Sequence, residues 1–176
     1  MKPSQVKLSR AAAIGAAVLL GLGGAAVAPT AAHAASSQRM LLDGPFYLIN
    51  ANGKYLGADG TWLRLYGNGG GNRYFNTVPD RGYVTFEHND SKKNIGTVYN
   101  GTSSGTRVFL ANPSGSGTQD WSAVPFGGGT EFFALQNLAA IGKCMGISGG
   151  SSGTDIAIFP CDRAPNQQWR LQRVPR

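Results

Sequence analysis

An all-β domain with internal threefold repetition is what this sequence predicts, and three observations carry that expectation. Short runs rich in β-branched and aromatic residues alternate with Asn-Gly, Gly-Asn and Gly-Gly turns, the pattern of strands joined by tight reversals. No helical stripe of useful length follows the first 34 residues. A motif also recurs: Gln167-Gln168-Trp169 and Gln119-Asp120-Trp121 are two copies of Gln-x-Trp, and Arg73-Tyr74-Phe75 stands in the equivalent place upstream. The spacings are 46 residues from Phe75 to Trp121 and 48 from Trp121 to Trp169. A period of that size signals a solenoid, propeller or array. Three copies fill the chain after its first segment, whereas propellers normally need at least four blades. The expected architecture is a closed threefold arrangement with repeats at about 44–80, 81–126 and 130–176.

In chain order, residues 1–34 read as an export signal. Lys2, Lys7 and Arg10 form a basic start, Ala11 to Val27 is apolar, and Ala32-His33-Ala34 supplies a small-x-small cleavage site. A membrane anchor is the competing reading, but the run is short for a span and rich in Gly and Ala. Residues 35–43 are expected to form a flexible leader. No second apolar stretch follows, so no membrane span is expected in the mature chain. Its roughly 140 residues suit one domain with a single core. With three basic residues lost in the signal, 13 Lys and Arg remain against 9 Asp and Glu, a net charge near +4. Those cations are scattered, and nucleic-acid binding needs a basic stripe or patch. It is not expected here.

Phe46-Tyr47-Leu48-Ile49-Asn50 opens the first repeat, Tyr83-Val84-Thr85-Phe86 the second, and Phe132-Phe133-Ala134-Leu135 the third. Asn52-Gly53, Asn100-Gly101 and Gly127-Gly128-Gly129 mark turns. In the third repeat, Cys144 to Ile147 and Asp155 to Phe159 read as a hairpin around the Gly/Ser turn at Ser148 to Gly153. Cys144 and Cys161 fall at the two ends of that hairpin. In an exported chain a disulfide is the default, with two free thiols as the alternative. Closing a loop of about 16 residues contributes roughly 3 kcal/mol in the chain-entropy model. The equivalent first-strand positions elsewhere are Tyr55 and Asn94.

Catalysis finds little support. The mature chain has one histidine, His88, which argues against a His-based metal site. Three Gly-x-Ser-x-Gly strings occur, at 101–105, 146–150 and 149–153. A nucleophile elbow needs a strand leading into a helix and a histidine base, and neither accompanies them. A carboxylate pair for glycoside cleavage stays open, although Glu87 and Glu131 are the only glutamates and the aspartates sit mostly in turns. The expectation is a non-enzyme with no cofactor and no metal.

Two Gln-x-Trp copies and a weaker third, with the two cysteines placed in the last repeat, make residues from about Gly44 to Val174 resemble the ricin-type β-trefoil lectin domain, a family with one Gln-x-Trp per repeat. The resemblance implies a six-stranded barrel capped by three hairpins, with one shallow sugar pocket per repeat. Each family pocket has an Asp just after the first strand, an aromatic ring ending the hairpin, and an Asn before Gln-x-Trp. The ring stacks on a sugar's apolar face while Asp and Asn hydrogen-bond its hydroxyls.

Here Gly57, Gly96 and Gly146 occupy the Asp position in all three repeats. Tyr66 and Phe159 keep the ring, and Asn72 and Asn166 keep the amide; the second repeat has Ala111 and Thr118 instead. The candidate ligand-binding residues are therefore Phe159, Asn166 and a neighbouring carboxylate, Asp162, in the third repeat, and Tyr66 and Asn72 in the first. Ordinary hairpin packing is the competing reading for both rings. The resemblance assigns Gln119, Gln167, Trp121 and Trp169 to the scaffold, with Phe75 as the smaller third member of the Trp set. Two functions are implied: a secreted lectin-like module on extracellular or cell-wall glycans, or a protein-binding trefoil, such as a protease inhibitor or a toxin-complex accessory subunit. The missing Asp favours the second, the retained rings and amides the first. Any sugar is expected at the third repeat before the first, and not at the second. Its Kd is expected on the order of millimolar, or about −4 kcal/mol.

Overall fold

The computed structural model describes residues 44–69, 71–126, 128–149 and 154–175; the signal, the leader and the tip of the Ser148–Gly153 turn lie outside the described residues. Each repeat contributes four strands. They are β1 (Phe46–Asn50), β2 (Tyr55–Asp59), β3 (Trp62–Tyr66) and β4 (Phe75–Asp80), then β5 (Tyr83–His88), β6 (Asn94–Thr97), β7 (Val108–Ala111) and β8 (Trp121–Pro125). The third repeat supplies β9 (Phe133–Asn137), β10 (Lys143–Ile147), β11 (Ile156–Pro160) and β12 (Trp169–Arg173). Among the described residues every helical piece is a single 3-10 turn.

Six strands close on themselves. β1 pairs with β12 and β4, β4 with β5, β5 with β8, β8 with β9, and β9 with β12, which leaves no free edge in the ring. The remaining strands form three hairpins, β2–β3, β6–β7 and β10–β11, that cap the barrel. One contact repeats where the hairpins meet. The Leu110 N–H donates to the Thr61 carbonyl at 2.7 Å, Ile158 to Thr106 at 2.9 Å, and Leu65 to Thr154 at 3.2 Å. The same bond made cyclically by β3, β7 and β11 defines the threefold axis.

The core repeats in the same way. Leu56, Ile95 and Met145 lie in the first hairpin strands and Leu65, Leu110 and Ile158 in the second, all buried. Phe75, Trp121 and Trp169 open β4, β8 and β12, are each 0% exposed, and sit opposite Phe46, Val84 and Phe133 in register. The expected disulfide joins Cys144 to Cys161, 17 positions apart in sequence.

One turn differs from its sequence expectation. At Asn100-Gly101 the left-handed residues are Tyr99 (φ 51°) and Asn100 (φ 56°), whereas Gly101 is extended at φ −66°. Gly101 is instead a matter of space, because a Cβ there would lie 2.8 Å from Thr106 Cγ2.

The buried Trp rings carry a testable load. Trp169→Ala should lower unfolding free energy by about 3–5 kcal/mol, the usual cost of truncating a buried aromatic ring to Ala. Urea denaturation measures it, and an unchanged midpoint would show that the ring does not hold the barrel.

Candidate functional site

Each candidate pocket is framed by the 3-10 turn that precedes a returning barrel strand: Gly71–Arg73, Gly117–Gln119 and Pro165–Gln167. In the third repeat the Gln167 amide nitrogen donates to the Pro160 carbonyl at 2.8 Å, and its Oε1 accepts from the Asp162 N–H at 3.2 Å. Gln119 repeats both bonds, to the Asn112 carbonyl at 2.8 Å and from the Ser114 N–H at 3.0 Å, and also accepts from Asn94 Nδ2 at 3.0 Å. The indole N–H of Trp169 donates to the Met145 carbonyl at 2.9 Å, and that of Trp121 to Ile95 at 3.0 Å. Every polar atom of the two Gln-x-Trp motifs' Gln amides and indoles is thus used on the fold itself. In the first repeat Arg73 replaces the Gln and lies 4.1 Å over the Tyr66 ring.

From the other side, each turn is held by the residue that ends the next repeat's first barrel strand. Asn137 Nδ2 donates to the Thr118 carbonyl at 3.0 Å, and Asn50 Nδ2 to the Asn166 carbonyl at 3.3 Å. His88 Nε2 lies 3.1 Å from the Asn72 carbonyl. The Ser91 N–H reaches His88 Nδ1 at 3.3 Å, so Nδ1 accepts and the ring proton sits on Nε2, where it donates to Asn72. Sequence reasoning missed these three residues. Their signal was an Asn or His closing the first barrel strand at the same place in every repeat.

The candidate residues fall on this frame as follows. Phe159 is half-buried in β11 opposite Cys144. Asn166 donates from Nδ2 to the Ile147 carbonyl at 3.3 Å, and exposed Asp162 accepts from the Ala164 N–H at 2.9 Å. In the first repeat the Tyr66 hydroxyl and Asn72 Nδ2 both donate to the Ala58 carbonyl, at 3.3 and 2.7 Å. Arg73 lies over one face of that ring. In the second, the Thr118 hydroxyl donates to Asn100 Oδ1 at 2.8 Å.

The glycines at the family's Asp position are held by crowding. A Cβ at Gly146 would lie 2.9 Å from Gln167 Cγ, one at Gly96 2.9 Å from Gln119 Cγ, and one at Gly57 2.7 Å from Arg73 Cγ. The stem of the turn side chain fills the space that a carboxylate would need.

Charge elsewhere is mostly committed to pairs. Glu87 lies 3.5 Å from Lys92, and Glu131 lies 3.4 Å from Arg170. Asp120, the middle residue of the second Gln-x-Trp, is buried. Burial first, and then the charge of Asp80, push its carboxyl up from 3.8 to about 6, against the Thr85 hydroxyl bond and the Arg81 guanidinium. Arg81 bridges the two acids, with Nε 2.9 Å from Asp80 and Nη2 3.3 Å from Asp120.

No protein-family model matches the sequence, and no curated protein matches it either. Solved structures do. A designed threefold-symmetric protein, ThreeFoil, is 26% identical, with a TM-score of 0.68 over 75% of this chain and 100% of its own. The Macrolepiota procera ricin B-like lectin, solved in complex with lactose, is 18% identical, with a TM-score of 0.65 over 74% of this chain and 96% of its own. The fold is the β-trefoil, shared with the designed protein and with the ricin B-like lectin. This trefoil also matches part of an exo-β-1,3-galactanase from Clostridium thermocellum, at 18% identity and a TM-score of 0.68 over 76% of this chain and 31% of that one.

Two outcomes follow from the crowding and the buried acid. Gly146→Asp should cost about 1–3 kcal/mol by overpacking rather than create a sugar ligand; denaturation compared with glycan binding checks it. The folded-state pKa of Asp120 lies above its unfolded value, so the folded state holds that proton more tightly. Its stabilising contribution is fully present below about pH 4 and is lost as pH rises through about 6. Asp120→Asn should therefore stabilise the protein at pH 7 by up to about 3 kcal/mol, with the gain over wild type shrinking as pH falls toward 4. Thermal melts of both proteins across that range read it directly.

Proposed function

We propose that this chain is a secreted, non-catalytic glycan-binding module with partly degenerate sugar pockets. The observation that carries the proposal is the third-repeat constellation. Phe159 is a half-buried ring in β11, Asn166 is an amide held on the Ile147 carbonyl, and Asp162 is an exposed carboxylate in the turn that follows the hairpin. The Cys144–Cys161 bond holds that hairpin in place, which lowers the ordering cost of binding. A trefoil shared with a lactose-bound lectin and with part of a galactanase supports a sugar ligand. The disulfide and the export-type start support a secreted location. A second reading, a trefoil that binds a protein partner, is favoured by the crowding at Gly57, Gly96 and Gly146, which leaves no room for the family's carboxylate.

Pull-down on insoluble polysaccharides separates the two. Wild type should bind with a Kd on the order of millimolar per site, raised on a polymer if two sites engage together. Phe159→Ala should lose most of that binding, and Tyr66→Ala should lose less, because Arg73 already covers its ring. Full binding by the double variant would reject the pocket assignment. No binding by wild type across a broad panel would favour the protein partner.

A further inference from the structure

We propose that the second repeat carries a contact of its own for neutral saccharides, built on Tyr99 in the β6–β7 loop; this rests on the glycan-binding reading above. At the positions where the resemblance would place a ring and an amide, this repeat has Ala111 and Thr118. The ring instead comes from elsewhere. Tyr99 is 97% exposed, so its side chain packs against nothing in the fold. Its backbone is left-handed at φ 51°, ψ 31°, and a non-glycine residue in that region is strained and held there by its surroundings. Neither burial nor backbone preference accounts for a tyrosine at this position. An external contact for the ring does.

The surroundings hold the backbone that carries the ring. Asn100, also left-handed at φ 56°, has its Oδ1 bound by the Thr118 hydroxyl at 2.8 Å and the Ser116 hydroxyl at 3.4 Å. The Gly101 N–H closes the turn on the Val98 carbonyl at 2.9 Å. Tyr99 is thereby tied, through its neighbour, to the 3-10 turn that frames the second repeat's pocket. A fixed backbone at Tyr99 spares binding the cost of ordering the loop.

The chemistry of the face selects the ligand class. Between Asn94 and Asp120 the only charged residues are Arg107 and Asp120. Arg107 lies 4.0 Å over the Trp62 ring and 3.3 Å from Asp155, and Asp120 is buried against Arg81. What the loop offers is a flat ring with hydroxyls and amides around it. That set stacks on the apolar face of a sugar and hydrogen-bonds its hydroxyls, whereas the nearby cations are already engaged, Arg107 with Asp155 and Arg81 with Asp80, Asp120 and the Gly115 carbonyl, which favours a neutral glycan over a carboxylated, sulfated or phosphorylated one.

The test uses the secreted full-length protein on an array of neutral oligosaccharides (β-glucan, xylan, galactan and chitin oligomers), with sialylated and sulfated glycans alongside. Asparagine accepts the left-handed backbone, so Tyr99→Asn should melt at the wild-type temperature while losing at least about tenfold in neutral-glycan binding. Ring-proton resonances of Tyr99 should shift when the bound oligosaccharide is titrated into wild type. Unchanged binding by Tyr99→Asn, with binding lost in Phe159→Ala, would overturn this contact and leave the glycan-binding reading standing. Preference for the anionic glycans would overturn the ligand class. A wild type that binds nothing on either set would remove both.

Discussion

The second and third repeats of this trefoil depend on a side chain that reaches from the barrel wall to the hairpin above it. Trp121 and Trp169 do this with one atom. Their rings fill the barrel, and their indole N–H groups, buried and needing a partner, find the carbonyls of Ile95 and Met145 in the first hairpin strands. Two residues upstream, Gln119 and Gln167 close the loop leaving the hairpin, taking one backbone carbonyl and one backbone N–H each. Barrel and cap are thus coupled by a three-residue unit. The coupling also explains the glycines: the Gln stem passes so close to Gly96 and Gly146 that a side chain there would have to displace it. Scaffold and ligand site compete for the same volume.

Within that shared frame the three repeats have solved the same local problem with different chemistry. At the first position of the hairpin, Cys144 is bonded to Cys161, Asn94 donates to Gln119, and Tyr55 packs edge-on against Tyr47 at 5.0 Å. At the axis the equivalent residues are Trp62, Arg107 and Asp155, and they interact with one another: Arg107 stacks on the first and pairs with the last. Exposed ion pairs of this kind contribute little, roughly 0–1 kcal/mol, so the axis does not set the fold. Backbone bonds do, through the three repeated contacts among Thr61, Thr106 and Thr154 and the hairpin strands. Because the backbone carries the symmetry, side chains at each repeat are free to diverge, and a site on one repeat needs no counterpart on the others.

Sequence alone determined the elements and their repetition. Alternating short apolar runs and Gly/Asn turns mark strands because side chains alternate across a pleated sheet and tight reversals need unusual backbone angles. The Gln-x-Trp spacing revealed the repeat, the position of Phe75 as the third ring followed from the same spacing, and the hairpin brought its two ends, with Cys144 and Cys161, together. Tertiary structure decided which neighbours those residues meet. Asn50 and Gln168 are bonded across 118 residues, and Thr85 and Asp120 across 35. Periodicity reports which face is buried, not what lies across the barrel seam. The burial that raises the Asp120 carboxyl, the Arg73 guanidinium that closes over Tyr66, and the lack of room at Gly57, Gly96 and Gly146 are properties of such meetings. So is the exposure of Tyr99, because an Asn-Gly pair in sequence does not say that the residue before it will take the left-handed turn and leave its ring in solvent.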